Sequence, residues 1–212
     1  SDITRIDSLK HQLSQEQGNE KLDLYLEIAR LYMDHDPDSG LSYSQRGYQQ
    51  ARKSDTQTHE AIFLKNMGRA CYLLDRYQQG IDHLKDAAKI FDDQDEKEQL
   101  GETFFLLGEA HSKLGKYEQS DHFFKKALKV SRELADQARV GHIYNKLGLN
   151  QKSNNAYTRA YAYHQQALRI FTRRNLDEGR ANTLNYLGSI HWQQGRYDSA
   201  SHYYNKSLDI KK

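Results

Sequence analysis

Apolar residues along this chain recur at helical spacing and are broken by short polar turns. Phe104, Leu107, Gly108 and His111 make an i, i+3, i+4, i+7 stripe, which predicts an amphipathic helix. The turn "LGKY" follows, where Gly115 can take the left-handed conformation that ends a helix. A second stripe of Tyr117, Ser120, Phe124, Ala127 and Leu128 then predicts a second helix. The same pair of stripes returns at a fixed distance. Tyr77, Tyr117, Tyr157 and Tyr197 fall forty residues apart, as do Gly68, Gly108, Gly148 and Gly188. Met67, Leu107, Leu147 and Leu187 precede those glycines, and Ala87, Ala127, Ala167 and Ser207 form a third ladder. Coincident ladders at one period mean a repeat architecture, here of helix pairs. The small residues let neighbouring helices approach; a large side chain there costs about 1–3 kcal/mol by overpacking.

The period divides the chain into an N-terminal helix at residues 1–17 and a degenerate unit at 20–57. Full units follow at 60–97, 100–137, 140–177 and 180–212. The N-terminal helix carries Ile3, Ile6, Leu9 and Leu13 and is expected to cover the first unit. In the degenerate unit Ala29 takes the glycine slot, and Pro37 suits the first position of the second helix. At the other end Leu208 and Ile210 sit where earlier copies face the next unit. The expectation is that the natural protein continues past this segment; packing of that end on another copy is the alternative.

Composition agrees with an elongated stack. Only 37% of residues are hydrophobic and 28% are charged, which is lean for one spherical core. A single proline permits helix throughout, and fifteen tyrosines supply amphipathic packing at wet edges. The formal charge of +2 gives no case for nucleic acid or an anionic membrane as the main partner. No apolar run reaches membrane-spanning length. Cys71 has no second cysteine to pair with, and Ser1 in place of Met suggests a processed or engineered start.

The order "FFLLGEAHSKLGKYEQSDHFFKKALKV" and its copies resemble the tetratricopeptide repeat (TPR) family, over about residues 20–212. Forty residues per unit is longer than the commonest period, as in the long units of kinesin light chains and bacterial TPR regulators. The resemblance implies an all-α, right-handed superhelical solenoid of about five helix-turn-helix units. It also implies a ligand groove on the concave face, built from positions two, five, nine, twelve and thirteen of each first helix when the glycine slot is eight. Among the residues this selects are Lys65, Arg69 and Tyr72 in the second unit, and Phe105 and Glu109 in the third. Asn145, Leu149 and Lys152 come from the fourth, and Asn185 and Trp192 from the fifth. Asparagines at a shared slot can hold a peptide backbone, and the cations can meet carboxylates. The two-carboxylate clamp of chaperone-adaptor TPRs is not reproduced: counted from the second unit it would need Leu106 to donate a hydrogen bond. Weak or no binding of an "EEVD"-ended tail is therefore expected.

Catalytic signatures do not emerge. The ten histidines never fall three or four apart, and no Gly-rich phosphate loop or G-x-S-x-G is present. The expectation is a non-enzymatic protein without cofactor or metal. The run "DDQDEKE" from Asp92 to Glu98 reads as a solvated inter-repeat loop. Arg169, Arg173, Arg174 and Arg180 read as a solvated positive face, with docking of an acidic partner as the less favoured reading. The first unit resembles in style the region that opens TPR sensor histidine kinases and related regulators. That resemblance implies the input domain of a bacterial signalling protein, binding a protein or peptide segment, with a periplasmic or extracytoplasmic position favoured over a cytoplasmic one. The alternatives are a stand-alone intracellular adaptor and an oligomerisation module dimerising through the end face of Leu208 and Ile210.

Overall fold

The computed structural model describes residues 2–211; the side chains of Asp2 and Ile3, the latter part of the predicted N-terminal stripe, lie outside the described residues. Those residues form eleven helices and no strand. They are α1 (Asp2–Leu13), α2 (Gly18–Tyr32), α3 (Pro37–Lys53), α4 (Gln57–Leu73), α5 (Tyr77–Asp93) and α6 (Lys97–Lys113). Then come α7 (Tyr117–Glu133), α8 (Gln137–Ser153), α9 (Tyr157–Arg173), α10 (Asp177–Gln193) and α11 (Tyr197–Lys211). The helices gather into two compact units, residues 1–114 with α1–α6 and residues 115–212 with α7–α11.

From α3 to α10 every helix has 17 residues, and from α3 onward every connector has three. The middle connector residue is left-handed each time: Asp55, Asp75, Asp95, Gly115, Ala135, Asn155, Asn175 and Gly195. The backbone thus repeats every twenty residues, half the period of the side chains. Asp, Asn and Gly tolerate this conformation, whereas Ala135 adopts it at a cost. Around it the chain closes Schellman caps. The Arg76 N–H donates to the Cys71 carbonyl at 2.8 Å and the Asp75 N–H to Tyr72 at 3.3 Å. The pattern returns at Asp136 to Ser131 and Ala156 to Gln151, both 2.9 Å. Because the cap takes a fixed three residues, the acidic run is mostly not a loop. Asp92 and Asp93 end α5, Lys97 and Glu98 open α6, and only Gln94–Glu96 lie between helices.

In the first unit α1 lays Ile6 and Leu9 against α2, both buried. Phe63 of α4 is fully buried and fills the space left by the absent side chain of Gly47 on α3. Pro37 begins α3, capped by the Asp36 carboxylate, which accepts from the Ser39 N–H at 3.2 Å. A Cβ on Gly68 would stand 2.5 Å from Leu84, so the glycine slot is where α4 and α5 close on each other. In the second unit the same slot meets His164 at Gly148 and Tyr204 at Gly188. The rule that emerges is small against large: Gly68, Gly148 and Gly188 each receive the bulky residue sixteen positions later, and Gly141 and Gly179 both make room for Phe171.

Candidate functional site

In the first unit the first helices α2, α4 and α6 line a cleft of about 600 Å³. Its apolar floor is Leu26, Met33, Ile62 and Leu106. Polar groups rim it: Asp23, Glu27 and Arg30 from α2, Lys65, Asn66 and Arg69 from α4, and Gln99 and Glu102 from α6. Of the residues expected from sequence, Lys65 and Arg69 are among these.

The charges of this cleft are not equivalent. Lys65 is only 9% exposed. Its ammonium lies 2.5 Å from Glu102 and donates to Gln99 at 2.7 Å, bracing α4 against α6. Arg69 lies 3.6 Å from Asp34, and Glu27 is held by Arg5. Asp23 sits 3.3 Å from the ring of His59. Arg30 and Asn66 carry no internal partner and line the same space. Tyr72, further along α4, is half-buried, and desolvation first, then Glu109, pushes its hydroxyl up to about 12. It stays a neutral phenol against Tyr77, 5.7 Å away. Phe105 and Glu109 are half-buried on α6.

In the second unit Asn145 is buried with both ends of its amide engaged. Its Nδ2 donates to the Thr183 hydroxyl at 2.8 Å, and that hydroxyl donates to the Gly179 carbonyl at 2.7 Å. Asn145 Oδ1 therefore faces His164 Nδ1 at 2.8 Å, which requires the proton on Nδ1. The remaining ring nitrogen, Nε2, is buried without a partner. Burial, with Lys152 contributing, holds His164 neutral and lowers its pKa from 6.5 to about 4. Lys152 itself donates to Ser189 at 3.0 Å. Leu149 and Asn185 are half-buried. Trp192 is 58% exposed and meets Tyr197 edge-on at 4.9 Å. Leu208 is 57% exposed and Ile210 half-buried.

The residues missed by sequence reasoning are those of the degenerate repeat. Counted from Ala29 as position eight, Asp23, Leu26, Arg30 and Met33 occupy positions two, five, nine and twelve. The register that selected Lys65 and Arg69 would have found them had it been carried one repeat further back. Position six also lines the cleft, through Glu27, Asn66 and Leu106.

No group of three or more His, Cys, Asp or Glu able to hold a metal occurs among the described residues. Cys71 is fully buried, and desolvation pushes its thiol up against the small opposing pull of Arg76. No helix among the described residues is long and apolar enough to cross a membrane.

The family model described as "Tetratricopeptide repeat" matches residues 59–133, 99–173 and 139–212. No curated protein sequence matches the chain. Among solved structures, BtubC (BKLC) from P. vanneervenii is similar with a TM-score of 0.81 at 18% identity, over 99% of this chain and 88% of that one. A signal transduction ATPase with numerous domains (STAND), carrying a tetratricopeptide repeat sensor, from Pyrococcus horikoshii gives 0.84 at 15% identity, over 97% of this chain and 32% of that one. A Rap protein complexed with competence and sporulation factor gives 0.79 at 15% identity, over 97% of this chain and 57% of that one. The chain thus spans a third of one of these proteins and a little over half of another. At such identities the likeness is one of fold.

Proposed function

Because the chain belongs to the tetratricopeptide repeat family, we propose that it is a non-catalytic scaffold that takes an extended peptide or protein segment in the cleft of α2, α4 and α6. The observation that carries this reading is the state of the cleft's polar groups. Lys65, Glu102, Glu27 and Arg69 satisfy one another or near neighbours, while Arg30 and Asn66 stand unpaired over an apolar floor. A guanidinium offers a bidentate fork to a carboxylate, and an amide pairs with a peptide backbone. The floor of Leu26, Met33, Ile62 and Leu106 adds burial for one large apolar side chain. The ligand class is therefore a peptide with a carboxylate close to an apolar anchor.

The wider role is that of a sensory or regulatory input domain in a bacterial signal-transduction protein. Its support is the fold shared with a signal transduction ATPase whose tetratricopeptide repeat part is a sensor and with a Rap protein complexed with competence and sporulation factor. The test is selection from a random peptide display library on the wild-type chain, followed by titration of the enriched peptides. Enriched peptides should carry the acidic and apolar pair. Arg30→Ala with Asn66→Ala should weaken them by about tenfold or more, since a hydrogen bond to a charged group contributes about 1.5–3 kcal/mol. Enrichment no better on the wild type than on that variant would overturn the assignment.

A further inference from the structure

The net charge of +2 conceals a division within the chain. Residues 1–114 carry 14 Lys and Arg against 21 Asp and Glu, a formal −7, whereas residues 115–212 carry 17 against 8, a formal +9. From Gln137 to Leu176 there is no acidic residue at all. The excess is unevenly spent. On the first helices of the second unit, Arg139 lies 3.4 Å from Asp136, Arg180 lies 2.7 Å from Asp177, and Lys152 donates to Ser189. On the second helices and their caps, Lys129, Arg159, Arg169, Arg173, Arg174 and Lys206 are all exposed and without an ion pair. Three of them, Arg169, Arg173 and Arg174, crowd the C-terminal end of α9.

The counterpart lies at the equivalent place two repeats earlier. Asp93 ends α5 as Arg173 ends α9, eighty residues apart. Asp92, Asp93, Glu96 and Glu98 are exposed and carry no ion pair; of the nearby bases, Lys97 lies 4.0 Å from Asp95 and Lys89 is exposed. The placement is locally unfavourable. A helix C-terminus carries partial negative charge, so Arg173 suits its position while Asp92 and Asp93 oppose theirs. No base occupies the last turn of α5 to offset this. An uncompensated violation of a local rule on an exposed surface points to a compensating partner.

We propose that this partner is a second copy of the chain. The acidic end of α5 in one copy docks on the basic end of α9 in another, through Asp92, Asp93, Glu96 and Glu98 against Arg169, Arg173 and Arg174. Placing like patches together repels, so the opposite charges select a contact that brings repeat two onto repeat four. The contact is of the steered, salt-sensitive kind that charged rims make. It is separate from peptide binding in the cleft and from the apolar end face at Leu208.

Sedimentation velocity of the full chain over a concentration series, at about 0.1 M and about 1 M salt, tests this, because the screening length falls from about 10 to about 3 Å between them. The wild type should self-associate at low salt and at least about tenfold more weakly at high salt. Arg169→Glu with Arg173→Glu should be monomeric, as should Asp92→Lys with Asp93→Lys. An equimolar mixture of these two variants should associate again, and so should the chain carrying all four substitutions. All four substituted positions are exposed and lie in the last two turns of α5 or α9, so unchanged helical circular dichroism serves as the folding control. A wild type that is monomeric throughout, association that survives both charge reversals, or a mixture that fails to recover it would each overturn the proposal.

Discussion

Acidification should strip stability from the second unit through one residue, His164. Folded, its ring is fully buried against Gly148 and Tyr186, with Nδ1–H donating to Asn145 and Nε2 unpartnered. A proton on Nε2 would create a cation with no acceptor and with Lys152 nearby, and this is why the pKa falls from 6.5 to about 4. Unfolded, the same ring titrates near 6.5. Above that value both states are neutral and the group contributes no pH dependence. Between about 6.5 and about 4 the unfolded chain takes up a proton that the fold refuses, so unfolding becomes easier as pH falls. Integrated over that window the loss is about 3 kcal/mol. The comparison protein is His164→Phe, because Phe124 occupies the same slot one repeat earlier and is fully buried there. Urea unfolding of both proteins from pH 7.5 down to pH 4 isolates the residue from the other histidines. The stability difference, wild type minus variant, should shift by about 3 kcal/mol against the wild type across the window. A pH-independent difference, or an NMR titration of His164 near 6.5 in the folded protein, would refute the account. The ¹⁵N shifts should also show the Nδ1–H tautomer at neutral pH.

Ala135 holds a left-handed φ of 55° at an exposed connector, so Ala135→Gly should raise stability by up to about 1 kcal/mol in chemical denaturation. Gly68→Ala should lower it by about 1–3 kcal/mol, because the new methyl would meet Leu84 at 2.5 Å and the Gly80 carbonyl at 3.1 Å. Lys65→Met removes the ammonium that Glu102 and Gln99 share. Since Glu102 is about a third exposed, water replaces part of the interaction and the cost should be about 1–2 kcal/mol. That cost should shrink in a Glu102→Gln background, as a double-mutant cycle will show.

The helix-pair architecture was legible because its signal is redundant. Each forty-residue unit restates the apolar stripe, the small slot and the turn, so a lapse such as Ala29 in one copy does not erase the pattern. The twenty-residue backbone period was harder to see, since Asp, Asn, Gly and Ala all serve its left-handed position and only the glycines announce it. The cleft was half legible. Register finds which residues share a position, but it does not tell whether a polar side chain there is free or already bound within the protein. Asn145 and Asn185 stand in one slot, yet the fold closes the first into a buried network with Thr183 and His164 and leaves the second half-buried. Arg30 and Arg69 likewise share position nine, yet Arg69 lies 3.6 Å from Asp34 and Arg30 has no ion-pair partner among the described residues, a difference the position number does not encode. The charge division was present in the sequence and was cancelled by summing over the whole chain.

The uniform grid of 17-residue helices and three-residue connectors bears on how such a chain can change in length. Recombination between two copies of the gene, out of step by one repeat, returns a reading frame in which every small slot still meets a bulky partner and every left-handed turn keeps its place. A repeat can therefore be gained or lost without a badly packed intermediate for selection to remove. A crossover out of step by half a repeat also preserves the backbone, but it sets first helices where second helices belong. Gly68 would then no longer receive Leu84, and the offspring would fail at packing while its turns remained intact. The forty-residue spacing of the side chains is thus the quantum in which this protein can be lengthened.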